Sequence, residues 1–174
     1  MRMAPGLRKI VLIAHIVSSV GSLGAVAGFL ALAVAGLSGQ DAQVTRSAYV
    51  AMEVIARFVI VPLVSASFLI GVAQSLGTTW GLFRHYWVLA KLLLTLLTVI
   101  VLLLQMEGIT YVAAVAVETT LSSADLLGLR RSLFIHAAGG LVILLVTTTL
   151  SVYKPRGMTR YGWRKLHNQK GDPV

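Results

Sequence analysis

The chain contains no cysteine, which excludes structural disulfides, thiolate metal sites and cysteine nucleophiles. Charge is scarce as well. Asp, Glu, Lys and Arg make up 12% of the 174 residues, hydrophobic residues make up 57%, and the mean hydropathy is +0.85. No soluble domain of this size could bury that much apolar surface. The signatures of soluble enzymes are missing too: there is no glycine-rich phosphate loop, no His-Glu-x-x-His motif and no serine in a nucleophile elbow. There is no sequence repeat, no low-complexity tract and no room for a second domain. With so few acids, bases and nucleophiles, any enzyme built on this chain would work through a cofactor bound inside the membrane.

Four long apolar runs are present instead: residues 10–37, 50–76, 87–106 and 133–153. Each supplies about 20 or more apolar positions, enough to cross a hydrocarbon layer about 30 Å thick at about 1.5 Å per residue. The fold class this predicts is all-α, a polytopic membrane protein built as an antiparallel bundle of four transmembrane helices. It divides into a basic N-terminus (1–9), the helical domain (10–153) and a basic tail (154–174). The first run, with its basic start and Ala33-Val34-Ala35, imitates a signal peptide, but its apolar region is too long and three more spans follow, so it is expected to be the first helix.

The net charge of +9 marks topology and not nucleic acid. Arg2, Arg8 and Lys9 precede the first span. Lys154, Arg156, Arg160, Arg164, Lys165 and Lys170 follow the last, and Arg84 stands alone in the link between spans two and three. The links on the other side hold Asp41, Arg46, Glu107, Glu118, Asp125, Arg130 and Arg131 in near balance. The positive-inside rule then places both termini in the cytoplasm of a bacterial-type inner membrane.

Within the first span, Ala14, Ser18, Gly21, Ala25, Gly28 and Ala35 form a stripe of small residues, with Gly24 and Gly28 as a small-xxx-small pair; either a packed neighbour or a dimer seam would use it. Ser38-Gly39-Gln40-Asp41 is a turn, and Pro62 should kink the second helix. The third helix can run on as far as Val117. Ser122 or Ser123 would cap the fourth, so the outer ends of helices three and four would project as a hairpin. Thr147, Thr148 and Thr149 can bond back to carbonyls of their own helix. The tail has the composition of a segment on an anionic surface, with residues 166–174 expected to be disordered.

Ionisable groups inside a bilayer are expensive, so any function would be drawn from His15, Lys91, His136, Glu53 and Arg57. Glu53 and Arg57, four residues apart, share a helix face and can pair. His15 and Lys91 lie at one level, about 6 to 7 Å inside the cytoplasmic boundary. His136 lies near the other face, roughly 15 Å away in depth, so a single metal ion or haem cannot be held by His15 and His136 together. Ser18, Ser19 and Ser22 line the helix face of His15 with hydroxyls. This leaves three readings of His15: an imidazole satisfied by hydroxyls, a haem or porphyrin ligand, or a proton relay. Lys91 either snorkels to the interface or takes part in a site. The methionines are scattered, which disfavours a Cu(I) site.

A histidine one or two turns into helix one, a proline inside helix two and the start Trp87-Val88-Leu89-Ala90-Lys91-Leu92-Leu93-Leu94 of helix three resemble the four-helix superfamily that contains the CopD copper-resistance proteins and the HemJ protoporphyrinogen oxidases. The resemblance implies a four-helix bundle over the whole chain and, in the HemJ branch, haem b with His15 and Lys91 as working residues. The chain departs from HemJ in reading Val20-Gly21-Ser22-Leu23-Gly24 in place of Trp-x-x-Gly-Leu followed by Pro-Arg, and in lacking Glu-Val-Pro in helix four. It is nearer to the predicted integral membrane proteins of unknown function grouped with that superfamily. Three roles remain open: a haem- or porphyrin-binding membrane protein, a structural subunit for a homo-oligomer or membrane-protein partner, and a small CopD-type transporter or metal-handling protein.

Overall fold

The computed structural model of the chain describes residues 4–39, 41–77, 82–118, 126–155 and 157–164. Four helices, each long and apolar enough to cross a membrane, account for most of them: α1 (Pro5–Ser38), α2 (Ala42–Gly77), α3 (Tyr86–Glu118) and α4 (Leu127–Tyr153). They form a closed square in which α1 packs beside α2 and α4, and α3 beside the same two. Consecutive helices are antiparallel, so both termini and the α2–α3 link share one end, here the terminal end, opposite a distal end.

Local chemistry explains where the helices begin and stop. Pro5 opens α1, and Gly39 closes it in the left-handed region at φ 59°. Asp41 then caps α2, its carboxylate accepting from the backbone N–H of Gln43 at 2.6 Å and of Val44 at 3.3 Å. Lys154, also left-handed at φ 42°, ends α4 ahead of Pro155. Thr147, Thr148 and Thr149 bond back to Leu144 and Leu145 carbonyls, as their positions in an apolar helix require. Pro62 does more than kink α2: a π-helical turn, Ala56–Ile60, stands directly before it. Val61 N–H reaches back five residues to the Ala56 carbonyl.

The helices hold 34, 36, 33 and 27 residues, so the longest reach about 50 Å and exceed the hydrocarbon layer. Burial concentrates at the distal end, and this changes the expected picture of an α3–α4 hairpin. All four helices extend there together, with Tyr49 and Met52 of α2 packed into one core with Ala33 of α1, Val112 and Ala116 of α3 and Leu133 of α4. Along α3, Val88 near its start is buried, and full burial returns only at Ile109, Val112, Ala113 and Ala116. The stretch between them is rich in exposed leucine, while Val99, Leu102 and Met106 pack against the core. Hydropathy marks only the lipid-level turns, so it missed the more polar turns that bury against one another beyond them.

At the centre of the distal core sits Arg130, 1% exposed. Its Nε donates to the Tyr49 hydroxyl at 2.7 Å and its Nη2 to the Gly36 carbonyl at 2.5 Å, with the guanidinium 5.3 Å from the centre of the Tyr49 ring. Three helix ends are thereby joined. The sequence reading counted Arg130 as a loop charge balancing the distal acids, but it lies one turn before Leu133 and two before Ala137 on the buried face, while Arg131 points outward.

The stripe on α1 is used within the bundle, Gly21 facing Leu63 and Gly28 facing Ile55; Gly36, outside the stripe, faces the Tyr49 ring. At the terminal end the tail folds back on the α2–α3 link. Thr159 donates from its backbone N–H to the Arg84 carbonyl and from its hydroxyl to the Phe83 carbonyl, and Gly162 lies against the Arg84 backbone. The expected cap at Ser122 or Ser123 and the expected disorder of 166–174 fall outside the described residues.

A Cβ at Gly36 would stand 2.7 Å from the Tyr49 ring, whereas at Gly24 it would meet nothing within 4 Å. Gly36→Ala should therefore destabilise the protein by about 2 kcal/mol. Arg130→Ala should cost about 3 kcal/mol through the buried partners it strands. Gly24→Ala should be neutral or slightly stabilising. Thermal unfolding in detergent, followed by circular dichroism, checks all three; equal behaviour of the two glycine variants would contradict the packing described.

Candidate functional site

Apart from the Arg130 cluster, polar side chains that meet between helices gather in a terminal group and a distal pair. In the terminal half every helix contributes. His15 and Ser19 come from α1, Ser67 from α2, Lys91 from α3 and Ser151 from α4. The hydroxyls of Ser19 and Ser67 are 2.7 Å apart, and Lys91 Nζ donates to Ser151 Oγ at 2.5 Å. Lys91 Nζ also lies 5.9 Å from the centre of the Trp87 ring, one turn earlier on α3. His15 is half-buried against Gly71 of α2, where a Cβ would come within 3.1 Å of the imidazole Cε1. A glycine at 71 is what lets the ring lie between α1 and α2.

The helix face below His15 is less open than its hydroxyl content suggests. Ser18 donates to the His15 carbonyl at 3.1 Å and Ser22 to the Ser18 carbonyl at 2.7 Å, so both are spent on their own helix. His15 Nδ1 is buried and has no hydrogen-bond partner among the described residues. Lys91 lies within electrostatic range of the ring.

Glu53 and Arg57 pair as their spacing predicts, at 3.2 Å, and this is the only ion pair among the described residues. The π turn carries Arg57, whose side chain is 52% exposed and also donates to Thr110 Oγ1 of α3 at 3.2 Å. The pair thus sits on the flank of the bundle. His136, in the distal half, is bonded through Nδ1 to the Ser132 carbonyl at 2.7 Å and to the Gln105 amide of α3 at 2.9 Å. Sequence reasoning did not single out Gln105; no local pattern marks a lone glutamine whose partner is 31 residues away.

His136 and Gln105 stand on the wall of a cleft of about 310 Å³ that runs between α3 and α4 towards Phe29 of α1 and Val64 of α2. Neither His15 nor Lys91 lines it. The two polar groups are separate sites, and among the described residues no three His, Asp or Glu side chains come together as metal ligands. No family model, no curated protein and no solved structure matches the chain.

A lysine held in the bundle by one hydroxyl and an aromatic ring contributes little to stability, because desolvation of an ammonium outweighs such contacts. Lys91→Met should therefore change stability by less than about 1 kcal/mol, in either direction. Thermal unfolding of the variant in detergent measures this, and a large loss would make Lys91 a structural residue.

Proposed function

We propose that the protein is a multi-pass protein of a bacterial-type inner membrane, with both termini cytoplasmic, that binds a b-type haem or porphyrin near the cytoplasmic face through His15 with Lys91 beside it. The observation that carries this reading is the buried Nδ1 of His15, which has no hydrogen-bond partner among the described residues. A polar nitrogen left unmatched in an apolar bundle costs about 1 to 3 kcal/mol, so whatever engages the imidazole stabilises the fold.

The donor set suits the group. An imidazole is a common axial ligand, and haem bound there would supply one-electron chemistry. Lys91, when protonated, is a cation with no carboxylate paired to it among the described residues, and the propionates of a porphyrin are carboxylates. Ser19 and Ser67 add hydroxyls at the same level. Support rests on these donors and on Gly71, not on a preformed slot, since the cleft lies in the other half of the bundle. Arg8, Lys9, Arg84, Lys154, Arg160 and Arg164 all gather at the terminal end, which favours the cytoplasmic side for it.

A second reading, a structural subunit that covers Glu53, Arg57 and the remaining open glycine of α1, is favoured by the exposure of Arg57 and the free space at Gly24. It predicts association and no absorbing cofactor.

Oxidised and dithionite-reduced spectra of detergent-purified protein, with hemin added where none is retained, test the haem reading. A Soret band should appear in the native protein, disappear in His15→Ala and weaken in Lys91→Ala; no band after hemin addition would overturn it. Because the chain lacks cysteine, Ser38→Cys and Tyr161→Cys report topology directly. An impermeant maleimide should label Cys at 38 in intact cells and Cys at 161 only after permeabilisation.

A further inference from the structure

The distal cleft is a second site, independent of the haem reading. Among the described residues its wall contains no charged side chain; Thr98, Gln105 and His136 are its polar ones, set among aliphatic residues and Phe29. Gly139 and Gly140 form part of the α4 wall, and a Cβ at either would meet nothing within 4 Å. Two adjacent glycines inside a helix are unfavourable by about 1 kcal/mol each relative to alanine. Here they remove exactly the side chains that would fill the space. The cleft opens towards lipid past Leu97 and Ile135, both exposed.

The protonation of His136 follows from its partners. A carbonyl oxygen only accepts, so Nδ1, 2.7 Å from the Ser132 carbonyl, carries the proton. Gln105 Nε2 stands 2.9 Å from the same Nδ1; with the proton on Nδ1, the amide has to turn so that its oxygen faces that N–H and its NH2 is kept for another acceptor. In the tautomer with Nδ1–H the lone pair lies on Nε2, for which no hydrogen bond exists among the described residues. The cleft therefore offers one acceptor and one donor at its polar edge, in apolar surroundings.

We propose that this cleft binds the hydroquinone ring of an isoprenoid lipid, with a ring hydroxyl donating to His136 Nε2 and the tail leaving between α3 and α4 into the bilayer. The wall chemistry suits this occupant. Phosphate and carboxylate headgroups would find no cation, a plain acyl chain would leave Nε2 unmatched, and a flat ring suits a wall made flat by two glycines. A volume of about 310 Å³ accommodates a ring and the first part of a tail and falls within the range of small-molecule sites.

The test is calorimetric titration of the full-length protein in detergent, under argon, with a decyl-substituted hydroquinone and with its dimethyl ether, which has the same shape and no donor. Saturable binding of the hydroquinone, roughly fivefold tighter than the ether, is expected, as one hydrogen bond supplies. His136→Phe should erase that preference, and Gly140→Leu, which fills open space and leaves the backbone unstrained, should weaken both ligands by at least about tenfold. Equal binding of hydroquinone and ether by the native protein, or undiminished binding by Gly140→Leu, would overturn the proposal and leave the cleft to ordinary acyl chains. The ligand comparison needs no variant, and since His15 and Lys91 are untouched throughout, its outcome does not depend on haem.

Discussion

A guanidinium that is almost wholly buried has to be satisfied by fixed partners, and satisfying Arg130 determines how the distal half of the molecule is built. Its acceptors are a carbonyl at the end of α1 and a hydroxyl near the start of α2, and the arginine itself stands near the start of α4. Gly36 has no side chain because the Tyr49 ring occupies that place. Around this knot lies the best-packed part of the bundle, which follows from the solvent. Burying apolar surface yields free energy only against water, and beyond the lipid the helix faces meet water. Within the hydrocarbon layer the helices gain little from hiding leucine from hydrocarbon tails.

Polar contacts take over at that level. Ser19 meets Ser67 across α1 and α2, Arg57 meets Thr110 across α2 and α3, and Gln105 meets His136 and Lys91 meets Ser151 across α3 and α4. Each joins helices that adjoin in the square, so the sparse polar residues of an apolar chain set its rotations and register. Some of the same groups, His15 and His136 with their neighbours, are also where chemistry can occur. A membrane bundle with so few polar side chains has to use them for both ends.

The four helices were legible in the sequence because length and hydropathy suffice to define a span, and the nearness of Lys91 to His15 agrees with counting residues inward from the start of each span. The distal layer was not legible. Ala42–Tyr49 and Ile109–Glu118 are helical turns whose burial depends on neighbours far along the chain, and composition alone reads them as links or loose extensions. Arg130 was hidden for a related reason: beside Arg131 it looks like one of two loop charges, and only the three- and four-residue spacing to Leu133 and Ala137 tells the two apart. The Glu53–Arg57 pair was plain from its spacing, but Thr110 as a third partner was not. The cleft left a trace in Gly139-Gly140, which sequence alone cannot distinguish from a close helix contact.

The π turn of α2 has a geometrical consequence. The buried residues Met52, Ala56, Ile60 and Val64 follow one another in steps of four. In a regular α-helix each such step over-rotates by about 40°, so three in succession would swing the face by about 120° and carry Val64 away from the core. The wider winding at Ala56–Ile60 absorbs that drift, which amounts to one surplus residue accommodated inside a continuous helix. Arg57 belongs to the surplus turn. Its direction is therefore one that an uninterrupted helix with the same two buried halves could not provide, and loss of a single residue between 56 and 60 would return the helix to ordinary winding while turning the Arg57 position away from Thr110.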